Sequence, residues 1–254
     1  MSVQALETSD ASPAFWQERV DLAAAFRLAA QYNFHEAVAN HFSLALDETG
    51  ERLLINPFGR HFSRIKASEL LVLDETNAQE AMDARRVETT AWCIHGPIHR
   101  IAPRARCVLH THMKYATVLT CLKDSNLPPI DQNTMRFFGQ VAVDEGFEGM
   151  ATTETEGARL AGVLGDKSVL VMGNHGALVV GRSVAEAFDT LYYFERACET
   201  LLTAYMTGKE LRVCSDAVAR QTAAEWAVYL EDACDLHFAE LKAMLDEQSP
   251  GYKD

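Results

Sequence analysis

The stretch that most constrains this chain is Cys107-Val108-Leu109-His110-Thr111-His112, an apolar run with the composition of a buried strand that ends in two histidines. In a strand, residues i and i+2 leave the backbone on the same side, so both imidazoles can be directed at one point. That is a metal-ligand geometry. A third candidate, His175, closes the apolar run Val169-Leu170-Val171-Met172 and leads into Gly176-Ala177-Leu178-Val179-Val180. Three neutral imidazoles would hold a divalent ion and leave a position open for water or substrate, as a catalytic site requires. Against this, nine histidines occur in the chain, and a lone His-x-His pair also arises by chance.

At 254 residues the chain can bury a large core, and no break in charge or in Pro/Gly content divides it. It reads as one domain over 1–254, with a core at about 16–207 and a C-terminal helical arm at about 208–254. Lys+Arg 23 against Asp+Glu 36 gives a net charge of −13, which disfavours nucleic acid and anionic membranes as partners. Six cysteines without a CxxC pair read as free thiols of a reducing compartment. Residues 1–13 are polar and acidic, and no apolar run approaches a membrane span, so the expected location is the cytoplasm.

Ser12-Pro13 followed by apolar residues at helical spacing predicts a helix to about Tyr32. Residues 40–46 and 52–56, joined by Asp47-Glu48-Thr49-Gly50, predict a β-hairpin. Further strands are predicted at 70–74, 107–109, 140–144, 168–172 and 176–180. Helices are predicted at 89–100, 115–122, 153–164 (closed by Gly165), 183–205 (capped by Ser183) and 216–246. The irregular alternation favours an α/β fold of three αβα layers around a mixed or antiparallel sheet over a doubly wound parallel one.

His-x-His after a strand, followed by Asn174-His175-Gly176, one further residue, three apolar residues and Gly181 before a capped helix, resembles the class II aldolase/adducin family. Ile55-Asn56-Pro57-Phe58-Gly59 looks like that family's substrate-binding loop. Asn40 and the segment His95 to Arg100 are similar too, and the likeness runs from about residue 16 to 207. The resemblance implies a divalent metal on His110, His112 and His175, usually zinc, with iron, manganese or cobalt as alternatives. It also implies a homotetramer with active sites at subunit contacts and substrate-binding roles for Asn40, His41, Phe58, Gly59 and Thr90. The chain departs from the pattern at two places. Ala91 stands where sugar-phosphate aldolases of the family carry a proton-moving glutamate, with Glu88 three residues earlier, and Phe58 replaces a small hydroxyl residue of the phosphate loop.

Proton transfer therefore falls to other groups. His95 lies on the helix leading to the metal-bearing strand and is the first candidate, with Glu145 and His41 behind it. His41, His61 and His99 also read as packed or solvated histidines, and Arg60 and Arg64 as surface arginines or as a clamp for a carboxylate. Three functions compete. The first is a metal-dependent lyase that cleaves a C–C bond or decarboxylates a small oxo or hydroxy acid through a metal-stabilised enolate. The second is a non-heme iron oxygenase on the same scaffold. The third is a non-catalytic, adducin-like binding module, ranked last because all three ligands are kept.

Overall fold

The computed structural model describes residues 13–147 and 149–254; Ser12, the expected cap of the first helix, lies outside them. The helices are α1 (Pro13–Gln31), α2 (Ala78–Asp83), α3 (Thr89–Ile101), α4 (Lys114–Thr120), α5 (Gln132–Arg136), α6 (Glu154–Leu164), α7 (Val184–Met206) and α8 (Asp216–Gln248). The strands are β1 (His41–Ala45), β2 (Leu53–Ile55), β3 (Leu71–Leu73), β4 (Cys107–Thr111), β5 (Val141–Asp144), β6 (Val169–Met172) and β7 (Gly176–Gly181). They form one seven-stranded sheet in the order β3-β2-β1-β4-β7-β6-β5, antiparallel throughout except for the parallel pair β5–β6. The expected mixed sheet between helical layers is thus what the chain builds. Two short helices, α2 and α5, and the extension of β4 through Thr111 were not expected from the sequence.

Alternation along the central strands sorts their side chains. Phe42, Leu109, Ala177 and Val179 join α1 and α7 in one apolar layer with Phe26, Phe188, Leu191 and Phe194. Val108, Leu178 and Val180 face the other way, onto Ile94 and Ile98 of α3 and Leu160 and Leu164 of α6. Because Ser43 pairs with Val108 and His41 with His110 across β1 and β4, those polar residues share the α3 face. Leu191, Phe194, Leu201 and Leu202, which fit an interface as well as a core by sequence, are core residues of the single chain.

α3 reaches over the sheet with Pro97 in its interior. Proline has no N–H, so the Cys93 carbonyl one turn back loses its helical partner. α6 crosses at that point with Gly157, where any Cβ would run into the Cys93 carbonyl and Pro97 Cγ. The missing donor and the missing side chain together let the two helices lie close, and α3 is held against β1 and β4.

The chain ends with α8, 33 residues of which Ala219, Cys234, Phe238, Leu241 and Leu245 are buried. A final 3-10 turn inserts Tyr252 into the α1 layer, and Ser68 N–H donates to the Asp254 carbonyl at 2.9 Å. Among the described residues, no helix is long and apolar enough to cross a membrane.

Candidate metal centre

His110, at the end of β4, His112, just beyond it, and His175, in the β6–β7 turn, bring one ring nitrogen each to within 4.8 Å of one another. The turn is shaped for this. Asn174 adopts a left-handed conformation (φ 55°), its N–H donates to the Thr120 carbonyl at 3.0 Å, and Gly173 N–H donates to the Asp144 carbonyl at 2.8 Å. A Cβ at Gly176 would come within 2.7 Å of both His112 Cδ2 and the Thr111 carbonyl oxygen, so only glycine lets β7 pass behind the ligands.

The outer nitrogens of two ligands are committed. His110 Nδ1–H donates to the Ala177 carbonyl at 3.1 Å, and His112 Nδ1–H donates to the Glu36 carboxylate at 2.6 Å. Each leaves a bare Nε2, and these two atoms lie 3.2 Å apart. Carbonyl- and carboxylate-oriented imidazoles are the usual supports of a metal ligand. Burial, then His41 and the other two ligands, hold His110 well below the ordinary histidine value. His175 is pushed down to about 4 by burial and by His112. Ring nitrogens that converge in this way fit a divalent ion.

Behind His110 runs a buried chain of side chains. His41, its ring 4.9 Å from that of His110, bonds through Nδ1 to His95 Nε2 at 2.7 Å. His95 Nδ1 bonds to Ser43 Oγ, Ser43 Oγ to His99 Nε2 at 2.6 Å, and His99 Nδ1–H donates to the Ala105 carbonyl at 2.5 Å. Burial keeps His41 and His95 far below their ordinary value and His99 at about 4.

The sequence-predicted residues divide. His41 is beside the triad, whereas His95 is 0% exposed, enclosed between His41 and Ser43. Asn40 Oδ1 accepts from the N–H groups of Glu36 (2.7 Å) and His112 (3.4 Å), so Asn40 holds the ligand loop together. Phe58 is 38% exposed with the Arg85 guanidinium 5.2 Å from its ring centre, and Gly59 supplies a left-handed turn residue (φ 72°). Ala91 is buried with Leu53, Ile55 and Val87, so no carboxyl stands at that helical position. Thr90 is buried one residue before it and bonds the carboxyl of Glu88, the residue preceding α3; burial raises that carboxyl against the opposing pull of Thr90 and His112. Glu145 is exposed, its backbone against Gly173. Arg60 is engaged by Glu69 at 2.5 Å and 3.2 Å, which accounts for its guanidinium without a substrate carboxylate. Sequence reasoning missed Glu36 and Ser43; the i, i+2 relation of Ser43 to His41 on one strand face was the available signal.

The profile of the Class II Aldolase and Adducin N-terminal domain matches residues 20–202, and the chain belongs to that family. The crystal structure of an aldolase II superfamily protein from Pseudomonas syringae superposes with a TM-score of 0.85 at 32% identity, covering 96% of this chain and 98% of that one. A Pseudomonas aeruginosa protein whose name places it with the class 2 aldolases is 32% identical over 246 residues, 95% of this chain and 94% of its own. The decarboxylase NovR of Streptomyces niveus is 28% identical over 209 residues, 82% of this chain and 77% of its own.

Proposed function

We propose that this chain is a metal-dependent lyase that cleaves a C–C bond or releases carbon dioxide from a small 2-oxo or hydroxy acid. The observation that carries the reading is the convergence of His110, His112 and His175, the first two with tautomers set from behind, next to the unpartnered edge of His41. A divalent ion held by the three Nε2 or Nδ1 atoms would supply Lewis-acid polarisation of a substrate oxygen. Zinc is the first choice on this all-imidazole set, which iron, manganese and cobalt share. His41 Nε2 carries the proton at the reacting carbon or its leaving group, with His95 behind it, since His95 is enclosed and reaches substrate only through His41. In this reading Phe58 covers an apolar tail, with Gly59, Asn40 and Thr90 as further substrate-binding residues. Glu145, exposed on the adjoining loop, stays outside the proton path in this reading. The absence of a carboxylate at position 91 removes a repulsive group from an anionic substrate, and the similarity to a decarboxylase supports an acid as that substrate. The protein works as a cytoplasmic homotetramer in this reading.

The test is metal analysis of anaerobically purified protein, followed by turnover of alkyl and aryl 2-oxo acids and of ketose 1-phosphates, with and without O2. Oxygen-independent cleavage of an acid is expected, together with loss of bound metal in the His110→Ala/His112→Ala variant. Consumption of O2 in step with product would move the assignment to an iron oxygenase, and efficient retro-aldol cleavage of a sugar phosphate would overturn the substrate class.

A further inference from the structure

The Ala105 carbonyl can only accept a hydrogen bond, and that fixes every proton between it and the metal centre. His99 must present Nδ1–H to it, at 2.5 Å. A neutral His99 then has a bare Nε2, so the bond to Ser43 at 2.6 Å takes the single Ser43 hydroxyl proton. With that proton spent, Ser43 Oγ accepts from His95 Nδ1–H. A neutral His95 is then bare at Nε2, and His41 donates to it from Nδ1 at 2.7 Å. His41 is left with its proton facing inward and a bare Nε2 on the opposite edge of the ring, which among the described residues meets no hydrogen-bond partner. The ring lies tilted, 4.9 Å from that of its cross-strand partner His110.

We propose that Ser43 and His99 are positioning residues that, through His95, hold His41 in the tautomer with a bare Nε2 beside the metal centre. The proposal deepens the role given to His41 in the proposed function and rests on that reading for its catalytic consequence. Chemically the device matters because a neutral imidazole can take a proton only at an unprotonated nitrogen, and a ring free to exchange tautomers offers the wrong edge part of the time. An apolar core would hold α3 on the sheet equally well but would set no tautomer. The four groups come from one strand, β1, and one helix, α3, and the Ala105 backbone anchors the series just before β4.

The experiment is 15N NMR of histidine-labelled, zinc-loaded protein at neutral pH, in which protonated and unprotonated ring nitrogens resonate far apart. His41 is expected with Nδ1 protonated and Nε2 unprotonated. Ser43→Ala and His99→Phe are each expected to populate the Nε2–H form of His41 while zinc content stays at the wild-type level. They should also lower kcat by about 10–100-fold with little change in KM, the usual cost of losing an outer-shell partner. Ser43→Thr, which restores a hydroxyl, should return both readouts toward wild type. An Nε2–H tautomer of His41 in the wild-type protein overturns the proposal even if every variant fails to fold. So does an unchanged tautomer in both Ser43→Ala and His99→Phe. If the tautomer behaves as expected but His41→Ala retains full turnover, the positioning chain stands and the proposed catalytic role of His41 falls.

Discussion

At position 176 the smallest residue carries the tightest constraint at the metal centre. A methyl group there would meet the His112 ring and the Thr111 carbonyl oxygen at 2.7 Å, and the carbonyl belongs to a central strand that cannot move away. Gly176→Ala should therefore push the His112 ring out of line and weaken zinc binding by about 10–100-fold, read by competition with a chromophoric chelator. Wild-type affinity in that variant would show that the ring has slack. His41 makes a complementary prediction, since it contacts the site without being one of the three converging ligands. His41→Ala should cost about 100-fold or more in kcat, the range of a lost acid–base group, with metal content retained. Glu88→Gln, made beside it, should change turnover much less; the reverse order would hand proton transfer to the Glu88 carboxyl. The three ligands were legible because a strand's period of two and a glycine-flanked turn are local signals. Glu36 and Ser43 were not, because Glu36 reaches His112 across 76 residues and Ser43 reaches His99 across 56, and no local pattern encodes such a meeting.

Elements were legible where apolar periodicity was long, which is why all seven strands and the six longer helices fall close to their expected places. α2 and α5, of six and five residues, are too short to show a helical period, and α5 is declared only by Asp131, which accepts from Thr134 N–H. The close crossing of α3 and α6 was equally hidden, since it depends on Pro97 and Gly157 meeting from opposite helices. Gly157→Ala should destabilise the fold by about 1–3 kcal/mol, because the Cys93 carbonyl cannot yield without α3 moving. Urea unfolding reads this, and an unchanged midpoint would mean that α6 shifts freely. Helix α3 also sets a pH response. His99 is at about 4 in the folded state, mainly through burial, with Arg100 adding to it and the Ala105 carbonyl and Asp47 opposing it; unfolded, it titrates near 6.5. Between those values the unfolded chain binds the extra proton, so stability rises with pH across the window and is lost as pH falls from 6.5 toward 4. For His99 alone the change is on the order of 3 kcal/mol. The urea midpoint should drop over that window in wild type and drop less in His99→Phe; parallel curves would assign the loss to other groups.

For the whole molecule, the question left by the fold is what covers α8. A 33-residue helix extends about 50 Å, and only five of its side chains are buried. Val228, Tyr229 and Leu236 are 70%, 65% and 68% exposed, a cost in water that a neighbouring subunit would remove. The apolar residues of α7 are consumed by the core, which leaves exposed apolar side chains such as these for a subunit contact. We expect a homotetramer in sedimentation velocity at micromolar concentration, and a smaller species when Val228 and Leu236 are both replaced by Glu, since a carboxylate buried at a contact pays a desolvation penalty. A wild-type protein running only at 28.2 kDa would refute the assembly. Turnover measured on the dissociated variant then separates two arrangements of the site. If activity falls with the tetramer while zinc stays bound to His110, His112 and His175, a neighbouring chain completes the pocket at the open side of the triad. If activity persists, the groups of one chain suffice, and His41, Phe58 and the Asn40 loop define the whole substrate pocket.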